Sequence, residues 1–134
     1  MEQSITENEK VMVLGRVDFL NLPKPVVKKV FVKVLNAYAF IKQMSAQEQD
    51  TYEESLYIMK SNPDNTVEMT RHMVGLKAKY LVRTLCDEEG KRLFEDSEWE
   101  ILSAKFSDII TELFNEAVRV NKDTMGDIKE QEKK

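Results

Sequence analysis

Between residues 75 and 121 two runs with helical apolar spacing, roughly 76–86 and 99–120, are separated by an acidic stretch, CDEEGKRLFEDSE, that carries a single glycine, Gly90. Glycine adopts the left-handed conformation that reverses a chain without a Cβ penalty. The pattern therefore requires two helices joined by a tight turn, with Leu93 and Phe94 folded back as a buried pair and Trp99 packing on the first turn of the second helix. That pair of helices needs a partner layer, and the rest of the chain must supply it.

A capping box at Ser45-Ala46-Gln47-Glu48 fixes a helix start, because the Ser hydroxyl accepts the Glu amide while the Glu carboxylate accepts the Ser amide. Whatever precedes Ser45 is then non-helical. This bears on residues 26–44, VVKKVFVKVLNAYAFIKQM, whose spacing is ambiguous. Val26, Val30, Val34 and Tyr38 recur every four residues, but Val30, Val32 and Val34 also alternate, in a strongly β-branched run. A small hairpin over 29–44 with its tip at Asn36-Ala37 is favoured over a helix. Upstream, Gly15, Pro23 and Pro25 leave room for at most a short helical turn in 11–23, and residues 1–10 read as loose.

Downstream, three helices are expected. The first, 46–60, places Tyr52, Leu56 and Met59 on one face and stops at Asn62-Pro63. The second, 67–86, is capped by Asn65 or Thr66 and carries a stripe of Met69, Met73, Leu76 and Tyr80 beside another of Val74, Ala78, Leu81, Val82 and Leu85. The third begins at a second capping box, Ser97 to Glu100, and runs through Phe106 to about Val120. The polar segment 122–134 has no apolar period and reads as a flexible charged tail. The expected fold is thus α+β but predominantly α: a small N-terminal β-hairpin followed by a three-helix assembly in one domain, 1–121, plus the tail.

Chemistry is scarce in this chain. His72 and Cys86 are the only residues of their kinds; on one helix they would stand about 21 Å apart, too far to share an ion. His72 reads as a surface or core-edge residue and Cys86 as a buried filler whose lack of a partner excludes an internal disulfide. Asp87, Glu88, Glu89, Glu95, Asp96, Glu98 and Glu100 outnumber Lys91 and Arg92 to give a local balance of −5. Acids around a helix start complement its dipole, and the spacing fits neither a calcium loop nor a carboxylate pair facing across a cleft. No phosphate loop or nucleophile elbow occurs, so neither catalytic, cofactor nor metal residues are assigned, and a non-enzymatic protein is expected. No apolar run is long enough to span a bilayer, and the polar start MEQSITENEK is unlike a secretion signal. The expected compartment is the cytosol, without membrane contact.

Residues 19–47 hold Lys24, Lys28, Lys29, Lys33 and Lys42 and no acid. The absence of arginine argues against nucleic-acid binding. A basic and an acidic segment on one chain would instead suit head-to-tail self-association. The methionines at 69 and 73 fill core gaps or adapt to a partner surface.

The order of these features resembles the tail assembly chaperones of long-tailed bacteriophages. The resemblance is carried by QMSAQEQDTYEE at 43–54, AKYLVRTLCDEEGKRLFEDSEWEILSAK at 78–105 and EAVRVN at 116–121. Leu93-Phe94 departs from the family pattern in following Lys91-Arg92 where proline is common, and residues 1–42 match little beyond the plan. The resemblance implies a chaperone that binds and solubilises the tape measure protein and helps recruit the tail tube protein, in some phages through a frameshifted extension. It implies a protein of the host bacterial cytoplasm that is absent from the mature virion. Partner contacts would then fall on Met69, Met73, Leu76, Tyr80, Leu93, Phe94, Trp99 and Phe106. The alternatives are a phage connector protein retained in the particle and a small helical DNA-binding regulator with its turn at 61–66.

Overall fold

A computed structural model describes the backbone of residues 11–133 and the side chains of residues 11–122; the expectation for residues 1–10 lies outside it. The chain is a mixture of helix and strand. Helix α1 (Arg16–Leu20) is a single turn with no buried residue. Strands β1 (Val27–Val32) and β2 (Ala37–Lys42) form an antiparallel hairpin, with Val27 opposite Lys42 and Val32 opposite Ala37. The connection is a 3-10 turn, Lys33–Leu35, closed by Asn36 in the left-handed region at φ 50°. The connection thus lies just before the expected Asn36-Ala37 tip, since Ala37 already pairs with Val32, and asparagine closes it because it tolerates that conformation better than other non-glycine residues. The Glu112 carboxylate accepts from the amides of Lys33 (2.6 Å) and Val34 (3.3 Å), tying the tip to the last helix.

Helix α2 (Ala46–Glu54) starts on the expected capping box: Ser45 N donates to Glu48 Oε1 at 2.9 Å and Glu48 N donates to Ser45 Oγ at 3.2 Å. It ends at Glu54, six residues short of expectation. The chain then forms a second hairpin, β3 (Tyr57–Ser61) and β4 (Val67–Arg71), with Met59 opposite Met69. Its turn is held by Asp64, which accepts from Thr66 N at 3.0 Å, and by Asn65 at φ 68°. This overturns the expected helix over 67–86 and with it the layout of one hairpin followed by three helices. Met69 and Met73 are four apart, but Met69 lies in a strand, so no Met69–Tyr80 helical stripe exists. A helix-turn-helix at 61–66 is likewise replaced by strands.

Helix α3 (Leu76–Thr84) is the central element, buried from Ala78 through Thr84. It runs directly into the short strand β5 (Leu85–Cys86), which pairs with β2 to give the sheet order β1-β2-β5. Gly90 stands at φ 87° and closes the acidic turn, its amide donating to Asp87 O at 3.0 Å. Asp87 Oδ1 also accepts from Glu89 N and Lys91 N, both at 2.9 Å, so this acid is structural.

The expected third helix is broken in two. A 3-10 turn (Asp96–Glu98) leads into α4 (Trp99–Ser103), and α5 (Ser107–Lys133) follows after a bend at 104–106. The box at Ser97–Glu100 does not form; Glu98 Oε1 accepts from Glu95 N at 2.7 Å, moving the helix entry two residues upstream. Helix α5 continues to Lys133, beyond the expected end near Val120 and through the segment read as a tail. Asn121 anchors it: its Oδ1 accepts from Met44 N (2.8 Å) and its Nδ2 donates to Ala117 O (2.9 Å).

The core lies between the three-stranded sheet, α3 and α5, with Ile41, Leu81, Val82 and Ala117 nearly or wholly removed from water. An edge-to-face ladder of Tyr52, Tyr80 and Phe114 (centroids 5.1 and 5.2 Å apart) joins α2, α3 and α5. Burial among these rings pushes the Tyr80 hydroxyl up to about 12.

Candidate functional site

Two cations of α3 are buried, a placement its sequence does not announce. Arg83 is 3% exposed. Its guanidinium donates to Lys79 O (2.7 Å), Thr51 Oγ1 (3.0 Å) and Thr51 O (3.3 Å), and Asp96 Oδ2 lies 3.4 Å away. Lys79 Nζ donates to Ser55 O at 2.9 Å and sits 4.8 Å over the Trp99 ring. Both cations meet the C-terminal end of α2, where the dipole favours positive charge; Lys79 takes the Ser55 carbonyl, and Arg83 shares the Thr51 carbonyl with the Ser55 amide. Burial holds the pKa of each below its ordinary value. Arg92 performs a similar service for α3, donating to Val82 O (2.9 Å) and pairing with Asp96 (2.6 Å). Lys42 is buried and paired with Glu48, which removes one of the five lysines from the basic surface. Asp96 and Asp87 are half-buried and are likewise bonded within the scaffold.

These groups are mutually satisfied and serve to fix helices, not to do chemistry. Among the described residues no three His, Cys, Asp or Glu side chains are grouped to hold a metal ion, and no helix is long and apolar enough to cross a membrane. Cys86 is a buried free thiol raised by desolvation. His72 follows β4, its amide donating to Leu56 O, and is not on a helix with Cys86.

What the structure offers is surface. The β3–β4 ribbon is exposed at every residue. Register puts Tyr57, Met59, Ser61, Val67, Met69 and Arg71 on one face and Ile58, Lys60, Glu68 and Thr70 on the other. The first face is apolar along Tyr57, Met59, Val67 and Met69, ends at Ser61 and Arg71, and is uncovered, with Met59 and Met69 exposed by 65% and 62%. A second apolar stretch, Val11 to Leu22, is equally bare, Val13 reaching 94%. A cleft of about 330 Å³ lies between α3 and the α4–α5 bend; Met73, Leu76, Ala78 and Ile110 supply its apolar lining, and Lys77 and Lys105 its charge. The Trp99 ring lies against Gly75, the cleft residue that caps the start of α3 at φ 76°.

The eight residues expected at a partner surface are thus dispersed. Met73 and Leu76 line the cleft and Trp99 abuts it, while Met69 belongs to the ribbon. Tyr80 is core. Leu93 is 58% exposed, correcting its expected burial, whereas Phe94 packs against the core and Phe106 stands out at the α4–α5 bend. Sequence reasoning missed Tyr57, Met59 and Val67. The alternation of Val67, Glu68, Met69 and Thr70 was the available signal, blurred in the first strand by Ile58 between Tyr57 and Met59, and an isolated two-stranded ribbon is marginal in stability.

Small sheets and helices thus leave extensive apolar surface bare among the described residues. In the comparison with known proteins, a family model described as phage tail assembly chaperone matches residues 21–134. The chain belongs to the phage tail assembly chaperone family. Its fold is similar to a structure titled "Structure of bacteriophage HK97 tail assembly chaperone", at 14% identity and a TM-score of 0.51, covering 91% of this chain and 97% of that one. No curated protein matches it. A chaperone role of this kind entails binding to other tail proteins.

Proposed function

We propose that this chain binds the tape measure protein in the host bacterial cytoplasm, keeps its long apolar helices soluble, and helps gather tail tube subunits around it. The observation that carries this reading is the uncovered apolar face of the β3–β4 ribbon. A ribbon without a buried residue contributes almost nothing to its own core, and methionine-rich faces accommodate varied apolar partners. Self-association belongs to the same reading, with the Lys24–Lys33 surface of one copy meeting the acidic 88–100 surface of another. Contact with the tail tube protein, directly or through a frameshifted extension, would follow once the tape measure is coated.

The test is co-expression with the tape-measure-like protein of the same phage, followed by size exclusion of the soluble fraction. Co-elution of an otherwise insoluble partner in a high-mass complex is the expected outcome. A partner left in the pellet beside a monomeric chain would refute the proposal. Mass spectrometry of purified particles addresses the alternative of a retained connector: the chain should be missing.

A further inference from the structure

The cleft between α3 and the α4–α5 bend has a charge pattern opposite to that of the chain. The chain carries 24 acids against 20 Lys and Arg, a net charge of −4, yet no carboxylate lines the cleft, whereas Lys77 and Lys105 both do. Lys77 Nζ donates to the Thr111 hydroxyl at 2.9 Å, a neutral acceptor that leaves its charge uncompensated within the cleft. Beside the lysines, Met73, Leu76 and Ile110 give the lining its apolar part, and Ser103, Ser107 and Thr111 add neutral hydroxyls. Apolar surface also extends past the mouth, since Val74 and Phe106, each the sequence neighbour of two lining residues, are exposed by 61% and 65%. A small molecule filling about 330 Å³ would leave that outer surface wet, whereas a helix laid along the cleft would cover it.

We propose that this cleft receives a helical segment of another tail protein, one that presents an apolar ridge flanked by carboxylates. The ridge would enter against Leu76 and Ile110 and supply affinity, while the carboxylates would meet Lys77 and Lys105 and set orientation and encounter rate. The proposal rests on the chaperone reading for the origin of its natural ligand, and on the cleft alone for the chemistry of recognition.

The test uses the full chain and a designed helical peptide with leucines at i, i+3, i+4 and i+7 flanked by glutamates, beside a counterpart flanked by lysines. Trp99 is the only tryptophan, and its ring lies against Gly75 of the cleft, so its emission reports occupancy. Saturable binding of the glutamate peptide, at least ten times tighter than the lysine peptide, is expected. The double variant K77E/K105E, altering two exposed side chains and checked for unchanged circular dichroism, should reverse that preference. Failure of the glutamate peptide to bind, or a preference that K77E/K105E leaves intact, overturns the proposal. The chaperone reading is judged separately: a chain that takes the peptide through these lysines but leaves the tape measure protein insoluble keeps the cleft and loses that role.

Discussion

Gly75 and Trp99 make a sharp test of how α3 is set in the fold. Gly75 begins the helix at φ 76°, and a Cβ built on it would lie 2.5 Å from Trp99 Cε3. Gly75→Ala therefore incurs two independent costs. Holding a non-glycine residue in the left-handed region costs about 1–2 kcal/mol, and forcing a methyl into a packed ring costs about 1–3 kcal/mol. The sum, about 2–5 kcal/mol, is a large part of the ~5–15 kcal/mol that holds a typical domain together. For a chain of this size each kcal/mol lowers the melting midpoint by roughly 3–5 °C, so Gly75→Ala should melt about 6–25 °C below the parent. The two costs separate in a double-mutant cycle. In a Trp99→Leu background the collision is relieved and only the backbone term of about 1–2 kcal/mol should remain, leaving a coupling of about 1–3 kcal/mol. Urea and thermal unfolding of the four proteins, followed by far-UV circular dichroism, measure it. A Gly75→Ala protein within about 0.5 kcal/mol of the parent, or an equal cost in both backgrounds, would refute this account of the Gly75–Trp99 contact.

Other outcomes follow from the caps, the ion pairs and the buried thiol. Ser45→Ala should lower stability by about 1 kcal/mol because it removes a formed cap, whereas Ser97→Ala, where no box forms, should change little; equal effects in paired urea titrations would contradict the geometry. Burial raises the Glu48 carboxyl, but the Lys42 ion pair, the Ser45 amide and Arg92 outweigh it and hold Glu48 below its ordinary value. Its contribution is therefore complete above the unfolded carboxylate pKa near about 4.3 and is lost as pH falls through the lower folded value. Glu48→Gln should accordingly flatten the acid limb of a melting-temperature profile, and an unchanged limb would count against the pairing. Burial pushes the Cys86 thiol up, so a thiol-specific reagent at pH 8 should react slowly with the folded chain and rapidly in denaturant; fast reaction of the native protein would show that β5 is open.

Ser45, Asn36 and Gly90 made parts of this fold legible because each acts within a few residues of itself. The capping box, the β1–β2 tip and the acidic turn are local hydrogen-bond and φ requirements, and they fall where the residues put them. The scattered motif that resembles the family was legible for a similar reason, since Gly90 and Asn121 are fixed scaffold positions. Residues 57–71 were not legible. Tyr57, Met59, Val67 and Met69 satisfy a strand period, but Met69, Met73 and Leu76 also satisfy a helical one, and short apolar runs do not distinguish the two. With no burial on either face of the ribbon, no core periodicity was present to break the tie. The eight residues of the partner-surface expectation are spread accordingly, with Tyr80 inside and the other seven over the ribbon, the cleft and the 93–106 region.

By itself, then, the sequence determined the helix start at Ser45 and the turns at Asn36 and Gly90, because a cap, an asparagine or a glycine acts through the adjacent backbone. The burial of Arg83 and Lys79 needed the carbonyls of Thr51 and Ser55, more than twenty residues away in the chain. The basic cleft likewise needed Lys77 and Lys105 to be brought to one opening by the α4–α5 bend. Such placements depend on which distant group supplies the missing acceptor or the facing wall, and only tertiary packing makes that choice.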